Sequence, residues 1–212
     1  MTESVRPDAG SIVDGLLAET HSKALVAAYF DPDAGFAGGL FDSLGEPDPC
    51  RITVDDLLAT SLLEVRFGPA AVRAILGPEA DAISTLLAKV DPGVPIWEDH
   101  ELLAGPLTEL WKLLRGLRGV GRVTTSKLLA RKRPHLVPII DRVVLRTLRL
   151  SPLGSWQAIR GVLLDGERRA RLAALAPSDE VSVLRLLDVL LWMRGSESRA
   201  VRQVRARLGI VG

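Results

Sequence analysis

The chain has 212 residues, of which 47% are hydrophobic, 25% charged and only 4% aromatic. This composition is typical of a soluble globular protein with a Leu-, Val- and Ala-filled core, and it favours packed helices over a sheet. The single cysteine, Cys50, excludes an internal disulfide and any cluster held by four cysteines. With no apolar signal segment and no apolar run of about 18 residues, the sequence predicts a cytoplasmic protein that does not bind a membrane.

The net charge of +1 conceals a strong separation of sign along the chain. Residues 1–110 hold 6 Lys/Arg against 19 Asp/Glu, whereas residues 111–149 hold 11 Lys/Arg against Asp141 alone. A basic stretch of this kind indicates a surface that faces a polyanion. The alternative is that the acidic half folds back and neutralises the basic stretch.

Helical patterns fill the first half of the chain, apart from one long loop. Thr53 and Asp56 are spaced as in a capping box, and prolines open two further segments. Residues Asp31–Pro49 contain four glycines and three prolines, which predicts a loop. The predicted helices are Ile12–Ala28, residues 53–63, Pro69–Leu76 and Pro78–Val90.

Seven further helices are predicted in the second half. Val183–Met193 is apolar nearly all round and therefore predicts a central helix, in which Arg185 and Asp188 form a structural ion pair. The arginines of the last helix form a solvated face, a further phosphate clamp or a partner-binding surface, and the solvated face is the favoured interpretation. The helices are Leu107–Leu117, Thr124–Arg131, Asp141–Leu150, Leu153–Leu164, Glu167–Leu175, Asp179–Met193 and Glu197–Leu208.

These patterns predict an all-α fold of about ten helices in a compact two-lobed bundle. We expect a single helical domain over residues 1–212, with an acidic lobe over about 1–105 and a second lobe over about 106–212. A helix-hairpin-helix motif at Leu107–Ala130 is expected at its centre.

The hairpin is the most informative feature for function. Gly119 and Gly121 flank Val120 between two helical patterns, so their backbone N–H groups are uncovered near the start of the second helix. A helix N-terminus attracts anions, which makes this bend a predicted phosphate site. Val120 would pack between the two helices. The predicted nucleic-acid contacts are Gly119, Val120, Gly121, Arg122, Thr124, Lys127, Arg131, Lys132 and Arg133.

Two features near the hairpin can each be interpreted in two ways. Arg131–Arg133 is either a phosphate clamp or a solubilising turn. Asp141 is interpreted as an N-cap of the helix that follows it or as a carboxylate held beside a bound backbone, and the two interpretations are compatible, because a capping aspartate is well oriented. The three histidines are far apart in sequence, so we expect no metal site, and no pattern predicts a cofactor.

The segments Leu117–Ser126 and Val137–Val143 resemble the helix-hairpin-helix DNA glycosylase superfamily, in particular its endonuclease III-like group. In that group the catalytic aspartate follows the second hairpin glycine by twenty residues, which is the spacing from Gly121 to Asp141. The string LLARKRP with LVPI and the aspartate also resembles a bacterial domain family of unknown function. The resemblance covers about 40 residues, Trp111–Leu150.

The resemblance implies binding to double-stranded DNA and a role in DNA repair. Asp141 would then be the catalytic residue of a monofunctional DNA glycosylase. Lyase chemistry is not implied, because Val123 stands where bifunctional members carry lysine, and the cluster cysteines are absent. Three hypotheses follow: a DNA-binding hairpin protein, a glycosylase that uses Asp141, and a protein-interaction or structural role without nucleic acid.

Overall fold

The computed structural model describes residues 8–98 and 104–210. Within these residues the protein forms twelve α-helices, two short 3₁₀ helices and no strand, which confirms the all-α prediction. No described helix has the length and apolar character that a membrane span requires. The 3₁₀ helices are Pro32–Ala34 and Ala37–Leu40, and the α-helices are α1 (Ala9–Ala18), α2 (Ser22–Phe30), α3 (Val54–Ser61), α4 (Pro69–Ile75), α5 (Ala80–Leu87), α6 (Gly105–Gly116), α7 (Arg122–Lys132), α8 (Arg142–Thr147), α9 (Ser155–Leu164), α10 (Gly166–Ala173), α11 (Val183–Gly195) and α12 (Arg199–Arg207).

The first predicted helix is two helices in the structure. α1 ends where Glu19 takes an extended conformation, and α2 starts at Ser22. The Ser22 hydroxyl donates to the carbonyl of Leu16 at 2.5 Å, so a side chain satisfies one of the last carbonyls of α1. The apolar periodicity continues across the break and therefore does not reveal it.

The start of α3 follows the predicted capping box. The Asp56 N–H donates to Thr53 Oγ1 at 3.3 Å, and the Thr53 N–H donates to Asp56 Oδ2 at 2.9 Å. Upstream, the predicted loop contains the two 3₁₀ helices, and Phe41 anchors it as a fully buried side chain.

The chain folds as two compact units. One contains residues 29–140, in which α3 packs on α7, α5 on α4 and α6, and α6 on α7. The other contains the described parts of 1–28 and 141–212, in which α8 packs on α11, α1 on α9, and α10 on α1, α9 and α11. The lobe boundary predicted near residue 105 lies inside the first of these units.

Candidate nucleic-acid interface

The predicted hairpin connects α6 and α7. α6 ends at Gly116, α7 begins at Arg122, and the Val120 N–H donates to the Leu117 carbonyl at 3.0 Å to close the bend. Gly119 has φ 84°, in the left-handed region that favours glycine. Val120 is only 4% exposed. The valine therefore points into the protein, as its expected packing role requires.

The backbone at the two glycines is open. A Cβ built on Gly119 or Gly121 would meet no atom within 4 Å. Gly121 is the N-cap of α7, and no side chain caps the helix there. Because the first N–H groups of a helix lack intrahelical partners, this end presents donors and a partial positive charge to the space above the glycines. The geometry is compatible with an approaching phosphate.

Three arginines surround the bend. Arg115 in the last turn of α6 and Arg118 in the bend itself are exposed, and Arg122 at the start of α7 is half-buried. Sequence reasoning selected Arg122 but did not include Arg115 or Arg118 among the contacts. The sequence signal for them was their position, since Arg115 lies near the end of an amphipathic helix and Arg118 directly precedes Gly119.

The hydroxyl side of α7 faces inward. Thr124 is 8% exposed, and the Thr125 hydroxyl, on a fully buried residue, donates to the Gly121 carbonyl at 3.0 Å. The Thr125 hydroxyl therefore helps to hold the start of α7 in place. The predicted contact of Thr124 with a phosphate is contradicted by its burial.

The prediction that Lys127, Arg131, Lys132 and Arg133 bind phosphate is wrong. These side chains are buried, with Lys127, at 7%, the most exposed of the four residues. A buried charge must be paired or hydrogen-bonded within the protein, and each of these cations has such partners. They cannot offer their charge to a strand outside the molecule.

Asp56 of α3 binds two of the four buried cations. Its Oδ2 accepts from Lys132 Nζ at 2.6 Å, and its Oδ1 lies 3.4 Å from Arg131 Nε. The carboxylate is 0% exposed and also closes the capping box with Thr53. Burial lowers the pKa of Lys132, and the hydrogen bond from Asp56 opposes that shift. The acidic half of the chain thus neutralises part of the basic stretch, as the alternative interpretation of the charge separation proposed.

Backbone carbonyls supply the other partners. Arg131 also donates to the carbonyls of Phe41, at 2.6 Å, and Leu44, while Lys127 Nζ donates to the Leu63 carbonyl at 2.7 Å. The loop before α3 and the end of α3 are therefore tied to α7 through arginine and lysine side chains. The sequence does not predict these contacts, because the acceptors are main-chain carbonyls, which every residue type has.

Arg133 is bound in a similar way but at a different helix end. Its Nε donates to the Val90 carbonyl at 3.0 Å, and its terminal nitrogens donate to the carbonyls of Pro49, at 2.8 Å, and Leu87. Leu87 is the last residue of α5, so the guanidinium meets the negative end of that helix. Burial lowers the pKa of Arg133.

Asp141 caps α8. Its Oδ1 accepts from the N–H groups of Val143 and Val144, both at 2.9 Å. The helix-capping interpretation is therefore correct, and it is compatible with a further role for a carboxylate that is so firmly oriented. The predicted pair within α11 is confirmed as well, since Arg185 lies 2.5 Å from Asp188 and both are buried.

The comparisons with known proteins find one match. The model of a family of unknown function (DUF6308) matches residues 22–195. No curated protein and no solved structure matches the chain.

Proposed function

Because the chain belongs to the DUF6308 family of unknown function, we propose its function from its own residues: it binds the phosphate backbone of nucleic acid, double-stranded DNA in the first place. The binding element is the hairpin of Leu117–Gly121 with the first turn of α7. The observation that supports this proposal is the open space above Gly119 and Gly121 at an uncapped helix start.

The mode of binding follows from the groups available. Main-chain N–H groups and the guanidinium groups of Arg115, Arg118 and Arg122 contact phosphate oxygens and not base edges. Binding should therefore tolerate many sequences and weaken steeply with salt. Since four of the eleven cations in residues 111–149 are buried, fewer phosphates are neutralised than the sequence suggests.

Gly121→Val tests the hairpin. Gly121 has φ −87°, which any residue adopts, and a Cβ added there meets nothing within 4 Å, so the variant should fold. The valine fills the space a phosphate would occupy. Loss of one charge-assisted hydrogen bond, about 1.5–3 kcal/mol, lowers affinity by about tenfold or more. Fluorescence anisotropy with an undamaged labelled duplex at several salt concentrations measures this change.

Gly15→Val is the matched control, because Gly15 lies within α1 and a Cβ added there also meets nothing within 4 Å. It should leave affinity unchanged. Equal affinity of the native protein and Gly121→Val would contradict the hairpin as binding site. If the native protein binds neither DNA nor RNA at low salt, the proposal fails and the protein-interaction hypothesis gains support.

A second candidate function is that of a monofunctional DNA glycosylase that uses Asp141. Two backbone N–H groups donate to that carboxylate and fix its orientation, which favours this candidate. Asp141→Asn separates the two roles, because asparagine caps a helix about as well as aspartate. Under this candidate the variant keeps its thermal midpoint and DNA affinity but loses release of damaged bases from a duplex. Base release equal to that of the native protein would exclude Asp141 as a catalytic residue.

A further inference from the structure

Three arginines belong to α8 or directly follow it in the chain. Arg142 is the first residue of α8, Arg146 lies one turn later, and Arg149 follows the C-cap Leu148. All three are exposed, and no carboxylate of residues 8–98 or 104–210 lies within 4.0 Å of their nitrogens. We call these residues the α8 arginine surface.

Arg142 occupies a position where a positive charge is unfavourable for the helix. The N-terminus of a helix carries a partial positive charge, so acidic residues stabilise the first turn and basic residues destabilise it. Asp141 already supplies the cap from the preceding position. The capping and packing of α8 therefore do not explain a cation at residue 142.

Arg149 occupies a position that usually holds glycine. Its N–H donates to the Arg146 carbonyl at 3.1 Å and the Leu150 N–H donates to the Leu145 carbonyl at 2.8 Å, the pattern of a Schellman motif with Arg149 at C′. There Arg149 has φ 56°, a left-handed conformation that is strained for a residue with a Cβ. The end of α12 has the same two bonds, with Gly209 at C′ and φ 71°.

Arg146 fixes the orientation of this surface. Its guanidinium donates to the Gly195 carbonyl, at the last residue of α11, and thereby ties α8 to the end of that helix. Arg142 and Arg146 are four residues apart and so lie on one side of α8. Arg142 and Arg146 are separated by about 6 Å along the helix axis, close to the axial distance of about 7 Å between a phosphate and its second neighbour on one strand.

We infer that the α8 arginine surface by itself binds the phosphate backbone of nucleic acid. Two cations are kept where local structure disfavours them, and residues that lower stability without a structural gain are typical of functional surfaces. Exposed guanidinium groups that no described carboxylate neutralises can each pair with a phosphate. The inference rests on the proposed function and adds a binding element that is independent of the hairpin.

The double variant Arg142→Gln/Arg149→Gln tests this surface and leaves Arg146 in place. Because two phosphates would no longer be neutralised, the slope of log affinity against log salt concentration should become less negative by about 1.8 for duplex DNA, and affinity near 0.1 M salt should fall by about tenfold or more. The thermal midpoint should stay close to the native value, because loss of the unfavourable charge at residue 142 offsets loss of the favourable charge near the helix C-terminus at residue 149.

Arg66→Gln/Arg73→Gln is the matched control. Neither arginine belongs to the hairpin or to α8, and the same charge is removed. This control should leave the salt slope unchanged. If the control makes the salt slope less negative by as much as the α8 variant does, net charge alone explains the effect and the inference is wrong.

Arg149→Gly should change stability and affinity in opposite directions. Glycine relieves the left-handed strain, so the thermal midpoint should rise even though a favourable cation near the helix C-terminus is removed, while affinity falls. A merely structural role for Arg149 would move stability alone and leave affinity constant.

The hairpin and α8 variants distinguish the two proposals. If Gly121→Val weakens binding and the α8 variant does not, the hairpin proposal stands and the inference is refuted. If only the α8 variant weakens binding, the inference stands without the hairpin. Absence of nucleic-acid binding by the native chain, or stronger binding to anionic vesicles than to duplex, overturns the inference.

Discussion

Replacement of Asp56 by alanine is expected to lower the free energy of unfolding by about 3–5 kcal/mol, because it leaves two buried cations without their carboxylate. Lys132 and Arg131 lie 2.6 and 3.4 Å from this carboxylate, and all three side chains are at most 2% exposed. One of the two hydrogen bonds of the capping box is lost as well, since Asp56 accepts the Thr53 N–H. Urea unfolding followed by circular dichroism measures the change.

The pH dependence of Asp56→Ala identifies the cause. Burial lowers the pKa of Lys132 from its ordinary value of 10.5, and removal of Asp56 removes the hydrogen bond that opposes this shift. The unfolded variant therefore binds more protons than the folded variant at pH values just below 10.5, so its stability rises with pH in that window. The deficit relative to the native protein should be smaller at about pH 10 than at about pH 7.

A double variant provides the control for the orphaned charge. Asp56→Ala/Lys132→Met removes the unpaired ammonium and should be more stable than Asp56→Ala alone. Asp56→Asn, which can still accept the Thr53 N–H, should show a smaller loss than alanine. Additive losses in the double variant would mean that the ion pair is not what stabilises this region.

Arg133→Met is expected to destabilise the protein by about 3–4 kcal/mol, because several buried carbonyls lose their donor at once. The carbonyls of Leu87 and Val90, at and just beyond the end of α5, and that of Pro49 would be left without the guanidinium. Methionine fills much of the volume but donates nothing. Thermal and urea unfolding both report this loss.

Arg133→Lys tests whether the site requires the several N–H donors of a guanidinium or only a positive charge. A lysine keeps the charge but cannot present the planar set of N–H groups that reaches carbonyls on several sides. It should rescue little of the lost stability. Arg51→Met, at an exposed arginine, is the control and should change stability by less than about 0.5 kcal/mol. A full rescue by lysine would show that charge alone is required.

The basic stretch shows how far sequence reasoning about charge can go. The sequence correctly locates the cluster of cations in residues 111–149, but burial divides that cluster in two. Lys127 and Arg131–Arg133 hold α7 among the elements around it, whereas Arg115, Arg118 and Arg142 remain at the surface. Residue type does not distinguish the buried cations from the exposed ones, because a guanidinium can donate to a carbonyl in the protein interior or to a phosphate at the surface.

Local chemistry determined much of this protein by itself. Helix-forming composition, the Thr53–Asp56 capping box and the two-glycine bend each depend on groups within a few residues of one another, so the sequence alone predicted them correctly. For the same reason the sequence included the Asp141 cap among its two interpretations of that residue. The break after α1, the burial of a polar helix and the partners of its cations depend on groups farther away. Arg131 and Asp56, for example, are separated by 75 residues. Only the tertiary structure decided these features, since burial and the supply of distant carbonyl and carboxylate acceptors arise when the helices pack together.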